Sequence, residues 1–231
     1  MKLILISLML LASSAAYSSR SASVLDRAKR VIRQIDYIPF SSTRDGCYAR
    51  ALYMGMELTI HGIPASNQYI FGNLKPERNI NWSYHVAPMI EVGGVARFAV
   101  FDPSFAKEPM TRQRWIKYSR PVGQSQTYIS PVTHYRKTSV QKYQYRRPGY
   151  SYSKRVKTMR QLPMFKISNI ANACKVAWEH IGKENLSSGQ KFRKRRRLMA
   201  RTNYLVDRLQ SLQKLPYGAK VMSCKNAKYR R

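Results

Sequence analysis

The sequence predicts an α+β fold, with two amphipathic helices, an antiparallel sheet and then a basic helical extension. Apolar side chains recur at intervals of three and four residues over 24–38 and again after Cys47, as in helices that bury one face. Two apolar runs, 85–92 and 95–102, are separated by two glycines, which is typical of a hairpin with a tight turn. Helices packed on antiparallel strands define the α+β class.

The second helix is predicted to begin at Cys47 and to end near His61. Asp45 has a side chain suited to the N-cap position, and Gly62 with Pro64 beyond it is a usual stop signal. The thiol of Cys47 therefore lies at a helix N-terminus. Unpaired N–H groups and the positive end of the helix macrodipole favour its thiolate, the nucleophilic form, at that position.

Strands are predicted at 68–71, 85–92 and 95–102, and a helix with Trp115 as its anchor is predicted at 111–118. In a two-residue turn at Gly93 and Gly94, the numbers of facing residues add to 187. His85 and Asp102 would then face each other on one side of the hairpin, with Cβ atoms about 4.5–5.5 Å apart. A carboxylate in that position can orient an imidazole.

Pro88 lies inside the first strand of this hairpin and has no N–H to donate. It therefore predicts that the strand is at an edge of the sheet or carries a bulge. A slip of one residue in the register would send His85 and Asp102 to opposite faces. Asp102 also precedes Pro103, and its alternative role is that of a turn former.

Tyrosines alternate with Arg and Lys between Tyr128 and Tyr152, and prolines and a glycine interrupt the stretch, which predicts strands and loops. Such a stretch is typical of an exposed strand with aromatic cross-strand pairs. The alternative is a stacking platform for single-stranded nucleic acid.

The remainder, from about Lys166, predicts a helical hairpin with helices at about 170–182 and 190–214. A basic run opens the second helix, where positive charge opposes the macrodipole and does not stabilise the helix. Two interpretations stay open, a solvated face and an anion-binding patch. The candidate residues of the patch are Lys191, Arg193, Lys194, Arg195, Arg196 and Arg197.

The 231 residues carry a net charge of +31 that is unevenly distributed. Through Glu108 the net charge is +4, from 12 Lys and Arg against 8 Asp and Glu, whereas beyond it the charge is +27, from 30 against 3. The cationic half is expected to attract anionic surfaces or polymers, and salt should weaken that attraction.

Lys2, the apolar stretch 3–12 and the small residues that follow have the pattern of a secretory signal, with cleavage expected after Ala16. No other stretch is long and apolar enough for a membrane span. The predicted organisation is a signal peptide at 1–16, a catalytic domain at 20–165 and a basic extension at 166–231. The mature chain is expected to be an exported monomer, either periplasmic or extracellular.

Three cysteines remain in an oxidising compartment. If Cys47 stays free to react, Cys174 and Cys224 are left as a candidate disulfide, with two unpaired apolar cysteines as the alternative. No metal site is expected, because no cysteine or histidine pair has ligand spacing. The histidines, at 61, 85, 134 and 180, are scattered.

The hypothesis that follows from the residues is a thiol hydrolase triad of Cys47, His85 and Asp102. At these residues the sequence resembles the bacterial protein glutaminases, secreted protein-glutamine deamidases whose core is similar to that of papain and the transglutaminases. Four segments carry the resemblance: DGCYARA at 45–51, YIFGNLK at 69–75, WSYHVA at 82–87 and FDPSF at 101–105. Weaker similarity continues to about Tyr152.

The resemblance implies that Cys47 is the nucleophile, His85 the base and Asp102 the orienting carboxylate, without a cofactor. It also implies a reaction in which protein-bound glutamine becomes glutamate with release of ammonia through a thioester. The backbone N–H of Cys47 is one oxyanion donor. Trp82 is a second candidate by analogy with transglutaminases, and Ser83 and Tyr48 are further candidates for oxyanion or substrate contacts.

The chain departs from the family in two respects. Family members have a long pro-segment, whereas here the span between the predicted signal peptide and the catalytic domain is too short to form a folded inhibitory domain, and roughly seventy residues follow the similarity. The rival functions are a cysteine peptidase or transglutaminase with the same three residues, and a cationic protein that binds envelope or nucleic acid. Protein or peptide substrates with glutamine are the expected partners of the enzyme.

Overall fold

The structure, a computed structural model, describes residues 24–40, 46–77, 80–93, 97–133 and 164–230. Its helices are α1 (24–33), α2 (Cys47–Ile60), α3 (Arg112–Tyr118), α4 (Ile167–Lys183) and α5 (Ser188–Ser211). Its strands are β1 (Ser66–Leu74), β2 (Trp82–Gly93), β3 (Arg97–Val100), β4 (Met110–Thr111), β5 (Pro121–Pro131), β6 (Lys220–Ser223) and β7 (Lys228–Arg230). The predicted α+β class is confirmed.

Five strands form one antiparallel sheet in the order β4-β3-β2-β1-β5, and β6 pairs with β7 in a separate hairpin. Strand β5 pairs along nearly the whole of β1. Strands were predicted only from Tyr128 onward in this region, so most of β5 was not predicted. The β6–β7 hairpin was not predicted either.

The predicted hairpin register is wrong by two. Met89 pairs with Val100 and Glu91 with Phe98, so facing numbers add to 189, and a bulge then pairs Gly93 with Arg97. Because Gly93 is itself paired with Arg97, the predicted two-residue turn at Gly93 and Gly94 is wrong; residues 94–96 lie outside the described residues. A pair of glycines permits a turn without fixing its centre. Because strand side chains alternate with a period of two, a shift of two residues preserves their faces.

Pro88 lies in an interior strand, which corrects the prediction of an edge strand or bulge at that position. Its carbonyl oxygen accepts a hydrogen bond of 2.8 Å from the N–H of Phe101. In an antiparallel ladder, the return bond of that pair would come from the N–H that proline lacks. Since β3 ends at Val100, the missing donor falls where the pairing with β3 stops.

The first two helices differ from prediction at their ends. Helix α1 ends at residue 33, not at Ile38, although Ile35 and Ile38 remain buried beyond it. The N-cap of α2 is Gly46, with no side-chain cap. This replaces Asp45 in that role, and Asp45 itself lies outside the described residues. The other end of α2 agrees with the stop signal, with His61 at the C-cap and Gly62 at φ 66°.

The C-terminal helices share one hydrophobic core with α1 and α2. Leu52 and Tyr53 of α2 pack in the same cluster as Ile170 of α4 and Leu205 of α5. The predicted helical hairpin is present as α4 and α5, and α5 begins with a capping box formed by Ser187 and Gln190. The predicted boundary between residues 165 and 166 stays a prediction.

A disulfide joins Cys174 of α4 to Cys224, which follows β6, with Cα atoms 4.9 Å apart. It ties the β6–β7 hairpin to α4, where both half-cystines are fully buried. A disulfide stabilises mainly by restricting the unfolded chain, here across a separation of 50 residues. This bond leaves Cys47 as the free cysteine of the chain.

Several predictions lie outside the described residues, namely the signal peptide at 1–16, the basic tyrosine stretch beyond residue 133 and His134. Within the described ranges, no helix has the length and apolar character needed to cross a bilayer.

Candidate active site

Cys47 is the first residue of α2 and is 8% exposed. Gly46 accepts at its carbonyl oxygen from the N–H groups of Ala49 and Arg50, both at 3.0 Å, and so closes the first turn. No helical carbonyl precedes Cys47, so its own N–H has no partner within the helix. The free N–H and the helix macrodipole both present positive potential at the thiol.

Gly46 adopts φ 91° and lies directly against His180 of α4. A Cβ added to Gly46 would meet the His180 ring at 2.6 Å, closer than packed atoms allow. His180 is buried and belongs to the C-terminal region that the family resemblance does not cover. The turn that presents Cys47 is therefore packed against α4, a contact that the sequence analysis did not find.

Replacing Gly46 with alanine should both destabilise the protein and misplace Cys47. A left-handed conformation costs a non-glycine residue about 1–2 kcal/mol, and the clash with His180 adds to that cost. Since a displacement of about 1 Å at a reacting group can cost about 10²-fold in rate, we expect a comparable loss of kcat. Enzymatic turnover and urea unfolding of Gly46→Ala measure the two effects.

Gly62→Ala is the matched control, because Gly62 also has a positive φ, 66°, and nothing lies within 4 Å of its added Cβ. Gly62→Ala should lower the free energy of unfolding through the same backbone effect and should keep the wild-type kcat. The double variant Gly46→Ala, His180→Ala removes the clash and should recover part of the kcat. Equal turnover in Gly46→Ala and Gly62→Ala would contradict the role of this contact.

His85 and Asp102 form a buried pair. The Nε2 of His85 lies 2.6 Å from Oδ2 of Asp102, and the side chains are only 1% and 5% exposed. The hairpin predicted this meeting, although Asp102 lies two residues beyond the end of β3 and not within a paired strand. The observed register differs from the predicted one by two residues, and such a difference keeps both side chains on the same face of the sheet.

Asp102 is held by three further contacts that the sequence analysis missed. Trp115 donates from Nε1 to Oδ2 at 2.8 Å, while Ser104 donates to Oδ1 from its N–H at 3.2 Å and also from its hydroxyl. The contact with the N–H two residues on is that of an Asx turn, so Asp102 is both a turn former and the partner of His85. A buried tryptophan needs an acceptor, which was a usable signal for Trp115.

The pKa of His85 is raised from 6.5 to about 9. Burial by itself lowers the pKa of the imidazole, but the negative charge and hydrogen bond of Asp102 outweigh it, and Cys47 also raises it. Burial likewise favours neutral Asp102, yet His85 and the other donors hold the carboxyl pKa below its usual value. The pair is therefore an imidazolium and a carboxylate at neutral pH.

This pKa shift also links stability to pH. Because the pKa of His85 rises on folding, its contribution to stability is complete below about pH 6.5 and is lost as pH rises through about 9.

The second ring nitrogen of His85, Nδ1, is buried and has no hydrogen-bond partner among the described residues. Cys47 is near enough to raise the pKa of the ring. The thiol therefore lies next to the imidazole. With Nε2 bonded to Asp102, Nδ1 is the nitrogen left to exchange a proton with Cys47 or a bound substrate.

Aromatic rings enclose His85 on both faces. Its ring stacks on Trp82 at 4.6 Å and on Trp115 at 5.4 Å between centroids, and Phe105 lies at 4.9 Å. The negative faces of aromatic rings favour a positive imidazolium. Among the predicted oxyanion or substrate candidates, Trp82 is thus beside the site.

The other two candidates differ in exposure. Ser83 is exposed on β2, and Tyr48 is partly buried beside Cys47 on α2. Tyr48 packs on a cluster around Cys47 that contains Tyr69 and Phe71 of β1. Tyr84 and Tyr128 pack on the same cluster, so the wall next to the thiol is largely aromatic.

The basic run on α5 divides into two groups. Lys194 pairs with Glu184 at 2.8 Å and Arg197 with Asp36 at 2.6 Å, while Arg195 donates to the carbonyl of Trp178 and lies over its ring. The other three cations, Lys191, Arg193 and Arg196, form no ion pair or side-chain hydrogen bond within the described ranges, and they face solvent wholly or in part. The run is thus partly a fixed element of the fold.

In the described ranges, no three His, Cys, Asp or Glu residues group as metal ligands do.

The fold and the site define an α+β protein in which a cysteine at a helix N-terminus adjoins a buried His–Asp pair, an arrangement suited to thiol hydrolase chemistry. The family model described as Glutaminase matches residues 22–119. Over these residues, which make up less than half of the chain, the sequence is similar to that family. No curated protein matches the chain significantly.

The chain is also similar to several solved structures. Protein-glutaminase from Chryseobacterium proteolyticum, solved by NMR, is 21% identical over 69% of this chain and 86% of its own, with a TM-score of 0.48. A crystal structure of protein-glutaminase is 24% identical over 66% of this chain and 81% of its own, with a TM-score of 0.43. Pro-protein-glutaminase is 26% identical over 51% of this chain, with a TM-score of 0.42, and the match spans only 48% of its length.

Proposed function

We propose that this protein is a protein-glutamine glutaminase, which hydrolyses the side-chain amide of protein-bound glutamine to glutamate and ammonia. The observation that carries the proposal is the buried His85–Asp102 pair beside Cys47 at the start of α2. Those three residues lie inside the segment that matches the glutaminase family. A protein is the proposed substrate because the similar solved structures bear the name protein-glutaminase.

In the proposed reaction, the Cys47 thiolate attacks the carboxamide carbon, and the C–N bond breaks in the tetrahedral intermediate that forms. The His85 imidazolium gives its proton through Nδ1 to the departing nitrogen, so that ammonia leaves and a thioester remains. Neutral His85 then takes a proton from water, which attacks the thioester. Glutamate leaves, and the thiolate and imidazolium are restored.

Asp102 serves this cycle by keeping His85 oriented and by stabilising its positive form. The N–H of Cys47 is the first oxyanion donor, and Trp82, which lies against the His85 ring, is the candidate for the second. Tyr48 and Ser83 are the candidates for substrate contacts near the same helix start. Donors placed for the oxyanion are typically worth about 10²–10³ in kcat each.

We also propose that the core is like that of papain and the transglutaminases. The support for this is a nucleophile helix that packs on an antiparallel sheet carrying the histidine. We further infer export through the signal pattern at 1–16.

Ammonia release tests this function most directly. The mature chain and Cys47→Ala should be compared on a protein substrate and on a blocked glutaminyl peptide, with mass spectrometry for a shift of about +1 Da. We expect ammonia from the intact enzyme and a loss of at least about 10⁴-fold in the variant, as for the removal of a nucleophile that acts with its base.

The products distinguish the rivals. Cleaved peptide bonds would indicate a peptidase, and cross-links or amine incorporation would indicate a transglutaminase. Ammonia release that survives in Cys47→Ala would contradict the proposed nucleophile. The absence of all three chemistries would favour a cationic binding protein.

A further inference from the structure

We propose that the first half of α5 docks an acidic segment of the substrate protein beside the candidate active site. The surface consists of Lys191, Phe192, Arg193 and Arg196 and is called the α5 surface below. This inference rests on the proposed function, because it concerns which protein-bound glutamines reach Cys47.

The cations of the α5 surface are not used by the fold. In the basic run, Lys194, Arg195 and Arg197 are held by Glu184, Trp178 and Asp36. No ion pair or side-chain hydrogen bond links Lys191, Arg193 or Arg196 to the described part of the chain, and Arg193 and Arg196 are exposed. The fold thus fixes the helix and leaves these three charges for another molecule.

Nearby acids are already neutralised. On α4 and in the loop after it, Glu179 pairs with Lys175 and Glu184 with Lys194. Asp207 is the one acidic residue of α5, and it lies 14 residues after Arg193, or roughly 21 Å along the helix at 1.5 Å per residue. The local surface is therefore cationic without an internal counter-charge, which makes it complementary to an acidic partner.

Phe192 adds an apolar anchor to this charge. It is 62% exposed in the middle of the basic run. Exposed aromatics together with arginine are enriched where proteins bind other proteins. A polypeptide with carboxylates and apolar side chains can satisfy both parts of the surface, and this favours it over a simple anion.

One set of contacts links the first half of α5 to the turn before Cys47. Arg195 packs on Trp178, and two residues further along α4 His180 lies against Gly46. A second contact joins α5 to α2 itself, because Arg197 binds Asp36 next to Tyr37, which hydrogen-bonds to Glu57.

Helix periodicity then locates the free charges. Arg193 is four residues before Arg197 and therefore lies on the same side of the helix. The α5 surface thus borders the elements that hold the start of α2.

The test uses two blocked peptides of equal length, with the glutamine flanked by glutamates in one and by serines in the other. The selectivity is the ratio of their kcat/KM values. In the variant Arg193→Glu, Arg196→Glu we expect this ratio to fall about tenfold at low salt, as for the loss of two exposed charge pairs. In the wild type, about 0.5 M salt should reduce the ratio, since screening then acts within a few ångströms.

Lys225→Glu, Lys228→Glu is the matched control. It changes net charge by the same amount on exposed residues of the β6–β7 hairpin, which the disulfide attaches to the other part of α4. Its selectivity ratio should stay near that of the wild type. An equal fall of the ratio in both double variants would overturn the proposal in favour of diffuse charge attraction. An unchanged ratio in Arg193→Glu, Arg196→Glu would overturn it as well.

A binding measurement separates this proposal from the proposed function. Fluorescence anisotropy with Cys47→Ala should show weaker binding of a labelled glutamate-flanked peptide when Arg193→Glu and Arg196→Glu are added. This measurement tests peptide binding at the α5 surface even if no substrate releases ammonia. An absence of ammonia release would contradict only the proposed function. Tighter binding of a single-stranded oligonucleotide at the same residues would assign the surface to nucleic acid and overturn docking of an acidic protein.

Discussion

Asp102→Asn is expected to lower kcat/KM at neutral pH by about 10³–10⁴-fold, the scale seen when a triad carboxylate is replaced by its amide. The amide can keep the hydrogen-bonded geometry with Trp115 and His85 while removing the negative charge. Burial of His85 would then act without opposition and would lower the imidazole pKa. The variant would hold a neutral histidine beside Cys47 at pH 7.

The pH profile distinguishes this effect from a general loss of structure. In the wild type, the raised pKa of His85 places the alkaline limb near pH 9, because the reaction needs the imidazolium as the acid for ammonia. In Asp102→Asn we expect that limb to move to lower pH by more than two units. Ser104→Ala removes one donor from the same carboxylate and should affect the profile far less.

An unchanged alkaline limb in Asp102→Asn would contradict the pKa argument. A profile measured from ammonia release between about pH 5 and 10 is sufficient, together with circular dichroism at each pH, because the pKa shift of His85 also changes stability in this range.

Arg201→Met is expected to reduce the free energy of unfolding by about 3 kcal/mol, because it removes the half-buried partner of a buried carboxylate. Arg201 on α5 binds both carboxylate oxygens of Glu57 on α2, and Tyr37 donates its hydroxyl to the same group at 2.6 Å. Glu57 is 2% exposed. Without the guanidinium, its charge would stay buried with one neutral donor.

Urea unfolding of the mature chain measures this cost. Arg208→Met, at an exposed position in the last turn of the same helix, is the control and should cost less than about 1 kcal/mol. The double variant Glu57→Gln, Arg201→Met removes the stranded charge and should recover part of the loss. A cost below about 1 kcal/mol in Arg201→Met would mean that water reaches Glu57.

The same experiment examines how α4 and α5 relate to the rest of the chain. They share the hydrophobic core of α2 and the Glu57–Arg201 pair. A single cooperative transition would indicate that they unfold together with the predicted catalytic region. Two transitions would support a separate extension beginning at residue 166.

Local sequence was enough to predict the start of α2. Helix-forming residues after Cys47 predicted that helix correctly, although its N-cap is Gly46 and not the predicted Asp45. Pairing of His85 with Asp102 was also predictable, because alternation along strands tolerates a two-residue error in register. The helices α4 and α5 followed from their apolar spacing.

Other features depended on packing between distant segments. Trp115 reaches Asp102 only because α3 folds back on the end of β3, and His180 reaches Gly46 only because α4 packs beside α2. The Glu57–Arg201 pair joins residues 144 apart in sequence. No local pattern encodes such contacts, since each depends on where two complete elements meet.

The basic run shows the same division within a single segment. Its charge and position at the start of a helix were evident from the sequence, as were the two open interpretations. Tertiary structure decided which cations are used, because Asp36, Trp178 and Glu184 come to lie against three of them. The sequence by itself thus determined the helices, the candidate nucleophile Cys47 and the charge of this protein. Only packing determined which side chains are enclosed, which are paired and which remain exposed to solvent.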